Sequence, residues 1–276
     1  KNKAAGALWN LAGNDDNKVK IARAGALEPL VQLLRTGDVE GKTQAAGALT
    51  SLAMNTENKV SIAQAGALEP LVQLLGTGDT AGKTKAAGAL NNLAANVNNQ
   101  ILIARIGGLE ALVQFLRTGD AAGKTQAAGA LSNLAVNAEN TIKIVRSGAL
   151  EPLVQLLRTG DAAGKTQAAG CVWNLARNAD NQLGRIERAG AVEPLVQLLT
   201  SENDEGKTEA AGALRILARD DDNEIKIACA GAVEPLMHLL RTGDAAGKTQ
   251  AAGALSNLAI NAENTIKIVR SGALEP

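Results

Sequence analysis

Apolar residues fall at spacings of three and four through most of the chain, as they do in helices that bury one face. In Lys1 to Gly13 (KNKAAGALWNLAG) they are Ala5, Leu8, Leu11 and Ala12. In Ala26 to Gly37 (ALEPLVQLLRTG) they are Leu27, Leu30, Leu33 and Leu34. A shorter pattern, KVKIARAG from Lys18, lies between the two. The three patterns recur in this order along the whole chain. Gly-Ala-Leu-Glu-Pro at Gly25 to Pro29 marks the period, and close copies open at Gly66, Gly107, Gly148, Gly190, Gly231 and Gly272, at spacings of 41, 41, 41, 42, 41 and 41 residues. A fixed period of this size predicts a repeat array whose units each pack on their neighbours.

Polar residues and breakers divide each period into three helices. The longest, third helix follows Asp38, Asp79, Asp120, Asp161, Asn203 or Asp244, where a side-chain oxygen caps free backbone N–H groups. An Asn at Asn17, Asn58, Asn99, Asn140, Asn181, Asn223 and Asn264 precedes the short pattern and is expected to cap the first helix. Ile recurs four residues before each period Gly, as Ile21, Ile62, Ile103, Ile144, Ile186, Ile227 and Ile268, and the Gly itself suits a turn of positive φ between first and second helices. All six prolines, Pro29, Pro70, Pro152, Pro194, Pro235 and Pro276, fall in the first turn of a second helix, where a missing N–H costs nothing.

This three-helix unit, through NKVKIARAGALEPLVQLL and AAGALSNLA, resembles the armadillo repeat, and the resemblance spans the chain. It implies an all-α, right-handed superhelical solenoid whose third helices line the concave face. A single array is expected, with a lone third helix at 1–13, full units at 14–54, 55–95, 96–136, 137–177, 178–219 and 220–260, and a partial unit at 261–276. Leu116 to Pro152 recur as Leu240 to Pro276 with one change, Val136 for Ile260, which points to recent duplication or consensus design. The fifth unit carries one extra residue between Asn181 and Gly190, with Gly184 at an aliphatic position, and reads as a tolerated bulge or longer loop. Neither end shows a polar capping repeat, so end-to-end self-association is an alternative to a dedicated ligand.

Composition narrows the chemistry. With no Tyr, one Phe and two Trp, the core is built from Leu, Ile, Val and Ala. The 28 basic and 28 acidic residues cancel, which gives no case for nucleic acid or an anionic membrane. Cys171 and Cys229 lack metal or disulfide spacing, and Cys171 replaces an Ala in a core pattern. No secretory leader, long apolar span or glycosylation sequon is present, so a cytoplasmic or nuclear protein is expected, without membrane insertion. No constellation supports an enzyme or a cofactor. GDAAGKTQ at Gly119 to Gln126 has three residues between its glycines where a phosphate-binding loop needs four, and it follows a helix. His238 has no ligand-spaced partner, and Asp220, Asp221, Asp222 and Glu224 lack the spacing of a calcium loop.

The resemblance also implies a site. In that family an Asn near the end of the third helix hydrogen-bonds the main chain of an extended peptide, and the matching positions here are Asn10, Ser51, Asn92, Asn133, Asn174, Ile216 and Asn257, of which Ile216 cannot serve. Where importin alpha places a Trp four residues earlier, every copy here has Gly: Gly6, Gly47, Gly88, Gly129, Gly170, Gly212 and Gly253. Close helix packing and a floor open to a ligand backbone both explain such a row. One turn before it stand Gln44, Lys85, Gln126, Gln167, Glu209 and Gln250, with little to attract a basic cargo. Trp9 and Trp173 are either partner contacts or packing between units. Arg177, Arg215 and Arg219 suit either an acidic partner or a solvated face. The expected partner is a protein or extended peptide.

Overall fold

The computed structural model describes residues 1–178, 183–261 and 264–266. Nineteen α-helices and no strand occur among them. In chain-order numbering, the first helices are α2 (Asp15–Arg23), α5 (Thr56–Gln64), α8 (Val97–Arg105), α11 (Ala138–Arg146), α14 (Leu183–Arg188) and α17 (Asp221–Cys229). The second helices are α3 (Leu27–Thr36), α6 (Leu68–Thr77), α9 (Gly108–Thr118), α12 (Leu150–Thr159), α15 (Val192–Leu198) and α18 (Val233–Thr242). The third helices are α1 (Asn2–Leu11), α4 (Val39–Leu52), α7 (Thr80–Ala94), α10 (Ala121–Leu134), α13 (Ala162–Arg177), α16 (Asp204–Leu217) and α19 (Ala245–Leu258). The result is an all-α repeat solenoid with two compact units, Lys1–Ser147 and Gly148–Pro276. In the first unit α1, α4, α7 and α10 pack one on the next, and in the second α13, α16 and α19 do so.

The third-helix caps fall where the sequence puts them. Asp38, Asp79, Asp120, Asp161, Asn203 and Asp244 each accept, through a side-chain oxygen, the backbone N–H of the Gly three residues on, at 2.7 to 3.0 Å. The six described period glycines, Gly25 to Gly231, have φ between 75° and 84°, the left-handed conformation that a Cβ resists. Behind them the first-helix isoleucines Ile62, Ile103, Ile144, Ile186 and Ile227 are fully buried. Gly272, Ile268, Pro276 and Asn181 lie outside the described residues.

The first-helix caps differ from expectation. They are Asn14, Asn55, Asn96, Asn137 and Asp220, three residues before the predicted ones. Asn58, Asn99 and Asn140 instead lie inside the first turn, 2 to 3% exposed. Each spends its amide on two carbonyls: Asn58 Nδ2 donates to Lys18 O at 3.0 Å and Leu52 O at 3.1 Å, and Asn99 Nδ2 to Lys59 O and Leu93 O, both at 3.1 Å. Asn140 Nδ2 repeats this with Gln100 O at 3.4 Å and Leu134 O at 3.1 Å. One carbonyl belongs to the first helix and the other to the end of the third helix of the preceding unit. An Asn recurring beside a helix start has two uses at this spacing, and only burial separates the cap from the staple.

Candidate functional site

On each third helix the positions seven, four and one before the expected Asn, and the Asn itself, share one stripe, because their spacing follows the helical turn. On α7 these are Lys85, Gly88, Asn91 and Asn92. Asn92 Nδ2 donates to Thr50 O on α4 at 2.9 Å. Asn133 Nδ2 on α10 donates to Asn91 O at 3.1 Å and Asn91 Oδ1 at 2.9 Å. Asn257 Nδ2 on α19 donates to Arg215 O on α16 at 2.7 Å. A backbone carbonyl only accepts, so the amide nitrogen must face it, and the side-chain oxygen is turned the other way. Asn10 is exposed, Ser51 and Asn174 are half-buried, and Ile216 is buried, as a rung without a polar group is free to be.

Trp9, Thr50, Asn91, Trp173 and Arg215, each the residue before one of these positions, reach across to the next third helix. A Cβ on Gly47 would lie 2.7 Å from Trp9 Cδ2, and one on Gly212 would lie 2.5 Å from Trp173 Cδ2. Arg215 Cδ crowds the same point on Gly253, and Thr50 Cγ2 stands 3.3 Å from that on Gly88. The described contacts therefore make these mid-helix glycines sockets for a neighbour's side chain, which accounts for helix positions that otherwise cost about 1 kcal/mol each relative to Ala. Both tryptophans are half-buried by this packing. Lys85 Nζ lies 4.5 Å from the centroid of the Trp9 ring, within cation–π range. Trp173 Nε1 is buried without a hydrogen-bond partner.

The three arginines do not form one row. Arg215 belongs to the Trp173 register and lies along Gly253, whereas Arg177, the last residue of α13, and Arg219, just past α16, are exposed. Sequence position does not separate them, because all three fall within the same few residues of a helix end. Asn91 is a residue that sequence reasoning missed. It alone among its copies is an amide, and its Nδ2 donates to Gln126 Oε1 at 3.2 Å. His238 is exposed on α18, and burial pushes the Cys171 thiol up. Among the described residues no group of three or more His, Cys, Asp or Glu is arranged to hold a metal ion, and no helix is long and apolar enough to cross a membrane.

Glu209 is the titratable group of this face. Burial, then the nearby Glu205 charge, push its carboxyl from the ordinary 4.5 up to about 7. A carboxyl raised on folding contributes stability that is fully present below its unfolded value and is lost as pH rises through the folded one. Glu209→Gln is therefore expected to flatten the decline in urea midpoint between about pH 4.5 and pH 7. An unchanged pH profile would place the decline on other groups.

Six segments of the chain, residues 14–54, 55–95, 96–136, 137–177, 188–219 and 220–260, match the armadillo/beta-catenin-like repeat. The chain belongs to the armadillo repeat family. No curated protein matches this armadillo chain. Among solved structures, an engineered protein from a structural genomics consortium is similar with a TM-score of 0.88 and 37% identity, over 98% of this chain and 67% of that one. A designed armadillo repeat protein in complex with the peptide (KR)4 is similar at a TM-score of 0.74 and 29% identity, over 84% of this chain and 99% of that one. A structure of computationally designed armadillo repeat proteins for modular peptide recognition gives 0.75 and 29%, with the same two coverages. The chain is thus a repeat scaffold of a kind that includes peptide binders.

Proposed function

We propose that this armadillo chain binds an extended segment of a partner protein along the third-helix face. The observation that carries this reading is the orientation of Asn92, Asn133 and Asn257, each anchored by its amide nitrogen and presenting Oδ1 as a fixed acceptor. Extended residues repeat every ~7 Å for two, and neighbouring helices pack at roughly 8 to 10 Å, so one rung per repeat meets alternate peptide groups. Asn10, Ser51 and Asn174 are the further rungs. Each hydrogen bond contributes only ~0.5 to 1.5 kcal/mol, against ~1 to 2 kcal/mol for ordering each peptide residue, so side chains supply the rest. Trp9 and Trp173 offer the largest apolar area for that purpose, and Arg177, Arg215 and Arg219 favour acidic residues. Peptide binding by the designed armadillo neighbour in complex with (KR)4 supports the reading.

The test uses a displayed library of extended peptides selected on the parent chain. The ladder variant Asn92→Ala, Asn133→Ala and Asn257→Ala is expected to weaken selected binders by tenfold or more, on the order of the loss of two to three hydrogen bonds. Because those amides also tie neighbouring third helices, a gain variant accompanies it. Ser51→Asn restores an amide at the Ser rung and should tighten binding several-fold. Binding that ignores both changes would move the partner off this face.

A further inference from the structure

We propose that Asn91, Gln126 and Asn133 form a subsite for an uncharged carboxamide side chain, Asn or Gln, of the bound segment, which rests on the reading of the third-helix face as the binding surface. Asn133 Nδ2 is committed to the carbonyl of Asn91 at 3.1 Å and to its Oδ1 at 2.9 Å. This fixes the Asn91 amide, since the atom that receives Asn133 must be its oxygen. Asn91 Nδ2 then donates to Gln126 Oε1 at 3.2 Å. Three amides are therefore chained in one polarity, starting from a main-chain carbonyl that cannot reverse it.

The chain of amides leaves two functions over. Gln126 Nε2 keeps its donors, and Asn133 Oδ1 keeps its acceptor. Both belong to side chains that converge on the single amide of Asn91, so donor and acceptor flank one carboxamide. A ligand carboxamide carries the complementary oxygen and N–H groups. Asn91, Gln126 and Asn133 are all half-buried, so the group is shielded yet reachable. Gly88 lies beside the group, with Gln126 Oε1 3.5 Å from the point a Cβ there would occupy, ordinary van der Waals contact.

Charge points the same way. On the stripe of α4, α7 and α10 the one charged side chain is Lys85, whose ammonium lies over the Trp9 ring. A partner ammonium or guanidinium finds no carboxylate there, and a partner carboxylate meets the Asn133 oxygen. An uncharged amide satisfies both ends without a buried charge.

Fluorescently labelled octapeptides (Gln-Thr)4, (Lys-Arg)4 and (Glu-Thr)4, titrated against the full chain by anisotropy, test this. (Gln-Thr)4 is expected to bind tightest, by about tenfold. Gln126→Glu keeps an acceptor for Asn91 but replaces the outward donor, so it should weaken (Gln-Thr)4 by about tenfold and strengthen (Lys-Arg)4. Asn91→Ala, checked by thermal melting to be folded, should weaken (Gln-Thr)4 alike. A preference for either charged peptide, or no response to Gln126→Glu while the ladder variant still loses binding, would overturn the carboxamide subsite and leave the face standing. No binding by any of the three overturns the subsite. Binding indifferent to the ladder variant as well would overturn both.

Discussion

Changing Asn99 to aspartate is expected to lower the urea midpoint steeply, by about 3 to 5 kcal/mol of stability at neutral pH, because it leaves a buried charge uncompensated. Asn99 is 2% exposed and its amide nitrogen serves two carbonyls, Lys59 O and Leu93 O. A carboxylate there can only repel both. The loss should shrink as pH falls, since the protonated acid regains one donor. Asn92→Asp is the contrasting change. Its side chain is half-buried and serves one carbonyl, so about 1 to 2 kcal/mol is expected. Equal losses at the two positions would contradict the division into a buried staple and an outward rung.

Gly212→Ala should also destabilise, although Ala favours a helix by about 1 kcal/mol over Gly. The new methyl would stand 2.5 Å from Trp173 Cδ2 and 2.6 Å from Cε2, too close for any Cβ, and a ring seated on backbone has no flexible end to withdraw. Overpacking of this kind costs ~1 to 3 kcal/mol. With Trp173→Ala in the background the clash is gone, and the same Gly212→Ala change should stabilise. The sign reversal in a thermal-melt double-mutant cycle is the readout. If Gly212→Ala stabilises in both backgrounds, the glycine is not a socket for Trp173. Gly184 is a control, because a Cβ there meets nothing within 4 Å.

Most of the fold was legible in the sequence. Period, helix order, third-helix caps and left-handed turn glycines all depend on local rules: a Cβ excludes positive φ, a short polar side chain caps a free N–H, and a 3.6-residue turn dictates the apolar spacing. The same rules misplaced the first-helix cap. Asn14 and Asn17 are both polar residues near a helix start, and nothing local says which one the next layer will bury. Asn17 donates to Leu11 O at 3.1 Å, at the end of the preceding third helix, and its copies Asn58 and Asn99 also reach the preceding first helix.

The site divides along the same line. Sequence determined that an Asn recurs on five of the seven third helices and that Gly stands one turn earlier in every copy. Tertiary structure decided how those residues are used. Whether an amide points its nitrogen or its oxygen outward depends on the carbonyl it meets across the helix interface, some forty residues away in sequence. Whether a glycine is a floor or a socket depends on the side chain that the neighbouring helix delivers, which is Trp9 at Gly47, Trp173 at Gly212 and Arg215 at Gly253. Local propensity is a property of one segment, whereas hydrogen-bond polarity and socket filling are properties of a pair of segments, and only packing brings that pair together.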